Sequence, residues 1–224
     1  MHAAVLLLAD GRFPSGGHAH SAGTEPAVGA GEVHDVASLR TFVEGRLATS
    51  GVVDAAFAAA SCARATRTDP QWSVLDAEYL ARTGPPRLRQ ASRTLGRQLL
   101  RGGERAWPSA TYGVIRRTLP DGVPQPIAMG VVAQASGASP ADAALCELHH
   151  LVGSLTSGAV RLLGLDPFDI AAFNARLGPQ LDQLAVNAGE HAHDEPATLP
   201  ASIGLLNDVL AEHHGTWEVR LFAS

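Results

Sequence analysis

The chain has 224 residues, of which 46% are hydrophobic, 17% charged and 5% aromatic, and its net charge is −5. A composition this apolar excludes disorder, and a chain this long buries enough surface to fold without disulfide staples. The acidic balance gives no global positive field for nucleic acid or anionic lipid, and all 17 basic residues are arginine, which excludes lysine-based Schiff-base or Walker-type chemistry.

In chain order, residues 1–10 read as a short apolar helix that the glycines from Gly11 to Gly17 break. Asp35 opens a helix carrying Val36, Leu39, Phe42, Val43 and Leu47 at helical spacing, with a stop expected at Gly51. The alanine-dense run 52–67 predicts a helix buried nearly all round. Asp69-Pro70 predicts the next start, and the pattern runs to Thr83-Gly84. Pro85-Pro86 opens a helix with Leu88, Leu95 and Leu99 that fades at Gly102-Gly103. Residues 107–126 read as loop with one short helix, and 127–136 as helix or strand. Ser139-Pro140-Ala141-Asp142 caps a long helix to about Leu163. A further helix starts near Asp166-Pro167, with an interruption at Gly178-Pro179 and an end near Ala188. A polar linker at 191–196, a helix over 201–214 and a short tail over 217–224 complete the chain. No repeat or boundary shows, so the expected architecture is one all-α domain, residues 1–224, of roughly eight to ten helices. No segment reaches the ~18 apolar residues of a membrane helix, and the start lacks the basic region of a secretory signal. The expected setting is cytoplasmic, with neither membrane nor nucleic acid as partner.

The signals for chemistry are sparse. Gly16-Gly17 allows φ > 0 and predicts a tight turn between helices. His18 and His20 fall on one side of an extended segment, where two imidazoles can serve nickel or zinc. The plainer reading makes them polar turn residues, and they are the only metal candidates. His149-His150, His191/His193 and His213-His214 lack any H-E-x-x-H or C-x-x-C context. Cys62 and Cys146 are isolated in apolar segments and read as buried free thiols. No nucleophile elbow or catalytic constellation appears.

The arginines say more. Nine fall between Arg82 and Arg117, where Glu104 is the single acid, so this window carries +8 and the remainder −13 of the total −5. Arg89, Arg93, Arg97, Arg101 and Arg105 lie four apart, and like charges at this spacing destabilise a helix by a few tenths of a kcal/mol per pair. Acids of this chain or of a partner protein should face them. The apolar tail is expected to anchor another protein, with Phe222 in a pocket and Arg220 on a carboxylate; docking on its own core is the alternative.

These residues resemble the UreF family of urease accessory proteins. Pro14, Gly16-Gly17, His20-Ser21, Gly23 and Glu25 are similar to its opening signature. Ala91-Ser92-Arg93, Gly96 and Leu99-Leu100 are similar to its central motif, and Ser157 with Ala159-Val160-Arg161-Leu162 to its long helix. His214, Arg220-Leu221-Phe222 and Ser224 are similar to its ending. Gly164-Leu165-Asp166-Pro167, Gly215 and His18 depart from the usual pattern. The resemblance implies an all-helical homodimer without catalysis of its own and with no firmly bound cofactor. It implies a complex with a UreD/UreH-like accessory protein, a UreG-like GTPase and apo-urease, through which Ni²⁺ passes as cargo. The residues expected at partner contacts are Gly16, Gly17, His20, Ser21, Glu25, Arg93, Arg97, Arg101, Arg161, His214, Arg220, Leu221 and Phe222. Two other functions remain open at this point, a regulator of the partner GTPase and a stand-alone helical metal-binding protein.

Overall fold

An alanine-rich helix can accept neighbours on every side, and that property organises this molecule. The computed structural model describes residues 3–222, the side chain of His18 excepted. Among those residues there are eleven α-helices and no strand. α1 (Ala3–Ala9), a 3-10 turn at Gly17–Ala19 and α2 (Thr24–Gly29) precede α3 (Val36–Arg46). Asp35 opens α3, as the sequence predicts, and the structure closes a reciprocal capping box between Asp35 and Ser38 there. Gly51 does not stop this helix. A π turn at Leu47–Gly51 carries the rod directly into α4 (Val52–Arg64), and Gly51 keeps helical φ and ψ.

α4 is buried nearly all round, as expected. Ala56, Phe57 and Ala60 belong to one apolar cluster and Ala55, Ala59 and Ala63 to a second, so the helix is shared by both. The first cluster joins α4 to α5 (Trp72–Ala81), α6 (Pro86–Ala106), α7 (Thr111–Thr118) and α8 (Gln125–Ala135). The second joins it to α3, α9 (Pro140–Leu163) and α10 (Pro167–Glu190). α11 (Leu205–His214) packs beside α2 and α6. The backbones of α4 and α8 come close enough for Ser61 Oγ to donate to the Ile127 carbonyl at 2.7 Å.

Several expected boundaries move. α5 begins at Trp72 rather than at Pro70, because Gln71 takes a left-handed conformation with φ 56°. α6 passes through Gly102-Gly103, where Gly103 seats against Val132 and Tyr112 and the absent side chain makes that approach possible. α8 is helix, which resolves the helix-or-strand reading of 127–136. α10 runs unbroken through Pro179. Ile170, Phe173, Leu177, Leu181, Ala185 and Ala188 form its buried seam, and burying several such side chains at about 2 kcal/mol each outweighs the ~3 kcal/mol cost of an internal proline. α11 starts at Leu205, four residues later than expected from 201. The 191–196 linker is anchored: Arg64, fully buried, donates to the carbonyls of Ala192 at 3.3 Å and Asp194 at 2.7 Å.

Candidate functional site

The opening motif and the tail, nearly two hundred residues apart, meet at one carboxylate. Glu25 sits in the first turn of α2, where its backbone N–H donates to Ser21 Oγ at 3.2 Å. Its side chain is buried and accepts three hydrogen bonds. His214 Nε2 donates at 3.0 Å, the Leu221 amide at 2.7 Å and the Phe222 amide at 3.0 Å. A carboxylate that accepts several N–H donors is well compensated for its burial. Phe222 is 7% exposed, with the Arg161 guanidinium 5.4 Å from its ring centroid. The tail is thus seated on its own chain, which corrects the expected placement of Phe222 in a partner's pocket. The backbone N–H groups of 221 and 222 satisfy a buried acid that would otherwise lose two partners. Leu221 and Val219 stay 76% and 82% exposed, and Arg220 is exposed at the rim of a cavity.

That cavity, of about 430 Å³, lies between the α3–α4 rod and α2, α5, α6, α9 and α11. Gly17, His20, His214 and Arg220 line it, so four of the sequence-predicted residues converge there. Arg46, at the end of α3, donates to the Ala22 carbonyl at 2.8 Å, to Ser50 Oγ at 3.1 Å and to Asn207, tying the α2 entry to α11. Asp54 Oδ1 accepts from the Tyr79 hydroxyl at 2.9 Å. Glu147 on α9 is buried, and its Oε2 has no hydrogen-bond partner among the described residues. His150, one turn further along α9, bonds the Leu8 carbonyl through Nε2 at 2.9 Å.

Burial governs the electrostatics of this wall. It lifts the Asp54 carboxyl to about 6, against the Tyr79 hydrogen bond and the Arg46 charge, which both pull it down. Burial and then the Asp54 charge push Glu147 well above the usual carboxylate range. Burial lowers both His20 and His150, favouring neutral imidazole. An acid whose folded pKa is raised keeps its proton in the folded state after the unfolded chain has lost it, so stability falls as pH rises from the unfolded value of 3.8 through 6. Asp54→Asn should therefore gain on the wild type by on the order of 2 kcal/mol between about pH 4 and pH 7. Melting curves across that range check this, and a stability difference independent of pH would refute it.

Asp54, Glu147, Arg46 and Tyr79 were not singled out in the sequence, and His150 stood out only as half of a histidine pair without metal-site context. The available signal was a lone acid inside each of two apolar helical runs, Asp54 after Val52-Val53 and Glu147 between Cys146 and Leu148.

The other expected residues separate. Gly16 has φ 80°, and a Cβ there would meet the Gln98 side chain; Gly17 lies in the 3-10 turn without a positive φ. His18 belongs to that turn and not to an extended segment, so the backbone does not present His18 and His20 as an extended pair; the His18 side chain lies outside the described residues, as does Ser224. Ser21 is fully buried. Among the described residues no three of His, Cys, Asp and Glu converge with metal-binding spacing. Cys62 and Cys146 are buried free thiols, both pushed up to about 12 by burial. Along the arginine stripe, Arg93 pairs with Asp76 at 2.9 Å, so part of the acid sought for these arginines is internal. Arg97 donates to the Asp121 carbonyl at 3.2 Å, and Arg101 is exposed.

Comparison with known proteins adds two kinds of likeness, to a family model and to individual relatives. The UreF family model matches residues 33–178. The urease accessory protein UreF of Mycolicibacterium vanbaalenii is 39% identical over 223 residues, covering 99% of this chain and 98% of that one. Those of Mycobacterium sp. strain JLS, at 38% over 98% of this chain and 97% of that one, and Mycobacterium tuberculosis strain H37Rv, at 33% over 99% and 98%, are similar along the same length.

Proposed function

The chain belongs to the UreF family of urease accessory proteins, and from that premise we propose that it is a non-catalytic scaffold for nickel insertion into apo-urease. In this reading it bridges a UreD/UreH-like accessory protein and a UreG-like GTPase, works as a homodimer in the cytoplasm, and handles Ni²⁺ as cargo and not as a resident cofactor. The observation that carries the bridging role is an uncovered apolar face. Ile203, Leu205, Leu206 and Val209 are all half exposed or more on and before α11, and Val219 and Leu221 extend the same C-terminal region beside α2. Six large apolar side chains within 19 residues, none of them buried, form the kind of surface that protein interfaces cover.

Co-expression with the UreD-like and UreG-like proteins of the same organism tests the reading. The wild-type chain should co-purify with both, and Leu205→Ser combined with Val209→Ser should lose the UreD-like partner while melting as the wild type does. Failure of the wild-type chain to retain either protein would end the proposal.

A further inference from the structure

The outer side of α6 and α7 takes no part in the cavity, the tail knot or the apolar α11 face. Here the arginine stripe divides. Arg89 donates to the Thr83 carbonyl at 2.5 Å, and Arg93 and Arg97 have the internal partners described above. Arg101 and Arg105, one turn apart, are exposed and make no hydrogen bond or ion pair among the described residues. Arg116 on α7 bonds Glu104 near the end of α6 at 2.8 Å, which occupies the only acid between Arg82 and Arg117. Arg117, next in the chain, is exposed and also unpaired among the described residues, and the exposed Val114 lies one turn before it. Three exposed guanidiniums without an ion pair among the described residues therefore lie on the two helices that the Arg116–Glu104 pair links, with the exposed Val114 on the second of them.

Like charges at i,i+4 work against the helix that carries them. They cease to do so when a partner brings carboxylates, with which guanidinium makes bidentate bonds. Nucleic acid fits less well. Of the rings on or next to these helices, Trp107 is stacked on Phe13 at 5.7 Å and Tyr112 is fully buried, so neither is free to receive a base. We propose that the Arg101–Arg105–Arg117 face of α6 and α7 binds an acidic segment of a partner protein. Arg101 also stands among the partner contacts that the family resemblance implies, so the surface is tested without the accessory proteins.

Fluorescence anisotropy of the full chain with a labelled oligoglutamate peptide, and in parallel with a labelled oligouridine, provides the test. The wild-type chain should bind the peptide more weakly as salt is added, and R101E/R105E should bind it about tenfold more weakly than wild type. R67E/R176E reverses two exposed arginines on other elements and should stay within about twofold of wild type, since net charge alone is a small contribution. Equal losses in the two variants, no peptide binding by the wild type, or tighter binding of the RNA would each overturn the proposal. Circular-dichroism melting confirms folding, and should R101E/R105E fail to fold, R101Q/R105Q takes its place with a smaller loss of the same sign expected.

Discussion

Gly130→Ala should be among the most destabilising single-methyl changes in this protein. A Cβ at Gly130 would lie 2.3 Å from the Ala58 carbonyl oxygen and 2.6 Å from both the Cys62 nitrogen and the Ser61 Cβ. Two of those three atoms are backbone of α4, the helix that both apolar clusters share, so neither can turn aside as a side-chain tip would. Alanine favours a helix over glycine by about 1 kcal/mol, and overpacking of this kind costs about 1–3 kcal/mol or more. With backbone as the obstacle the clash wins, for a net loss of roughly 2 kcal/mol or above and a fall in Tm of about 4–8 °C or beyond for a chain of this size. Gly153→Ala on α9 is the matched control. Nothing lies within 4 Å of its Cβ, so the propensity gain stands alone and the variant should melt slightly higher. Equal Tm shifts in the two variants would mean that α4 and α8 do not cross at Gly130.

Truncation after Val219 should lower the melting temperature even with no partner present. The deletion removes the burial of Phe222, worth about 2 kcal/mol, and two amide donors from Glu25. Hydrogen bonds to a charged group contribute about 1.5–3 kcal/mol each when intact, though water entering the vacated edge recovers part of that. A net loss of about 3–4 kcal/mol is expected, hence a fall in Tm of roughly 6–16 °C. Glu25→Ala should give a loss of similar size from the other side of the same knot, and the double change should be far from additive because both remove the same bonds. Leu221→Ser, at an exposed position, should leave Tm nearly unchanged. A truncated chain that melts with the wild type would show the tail to be unattached in solution.

Much of the helical layout was legible because its signals are local. The Asp35 and Ser139 starts, the Pro86 opening and the buried α4 each follow from one short stretch of side chains whose cap, ring or size acts within a turn. The arginine stripe was legible as an unpaired charge problem, since spacing along a helix fixes which charges are neighbours. The family followed from the same local residues, and relatives aligned along nearly the whole chain bear it out.

Where elements stop and what they face was decided by the tertiary structure. Gly51, Gly102-Gly103 and Pro179 are local breakers worth about 1–3 kcal/mol, and each lies inside a helix whose buried seam contributes more. The seating of Phe222 depends on Glu25, and the cavity wall on Asp54, Tyr79 and Glu147. Such partners stand tens to hundreds of residues apart, and a carboxylate carries no mark of which distant N–H will reach it. The sequence alone determined that arginines crowd α6 and that the tail is apolar. Only packing decided that Arg93 is paired while Arg101 has no partner among the described residues, and that the tail closes on its own chain, because a buried charge takes whichever donor the fold brings within 3 Å.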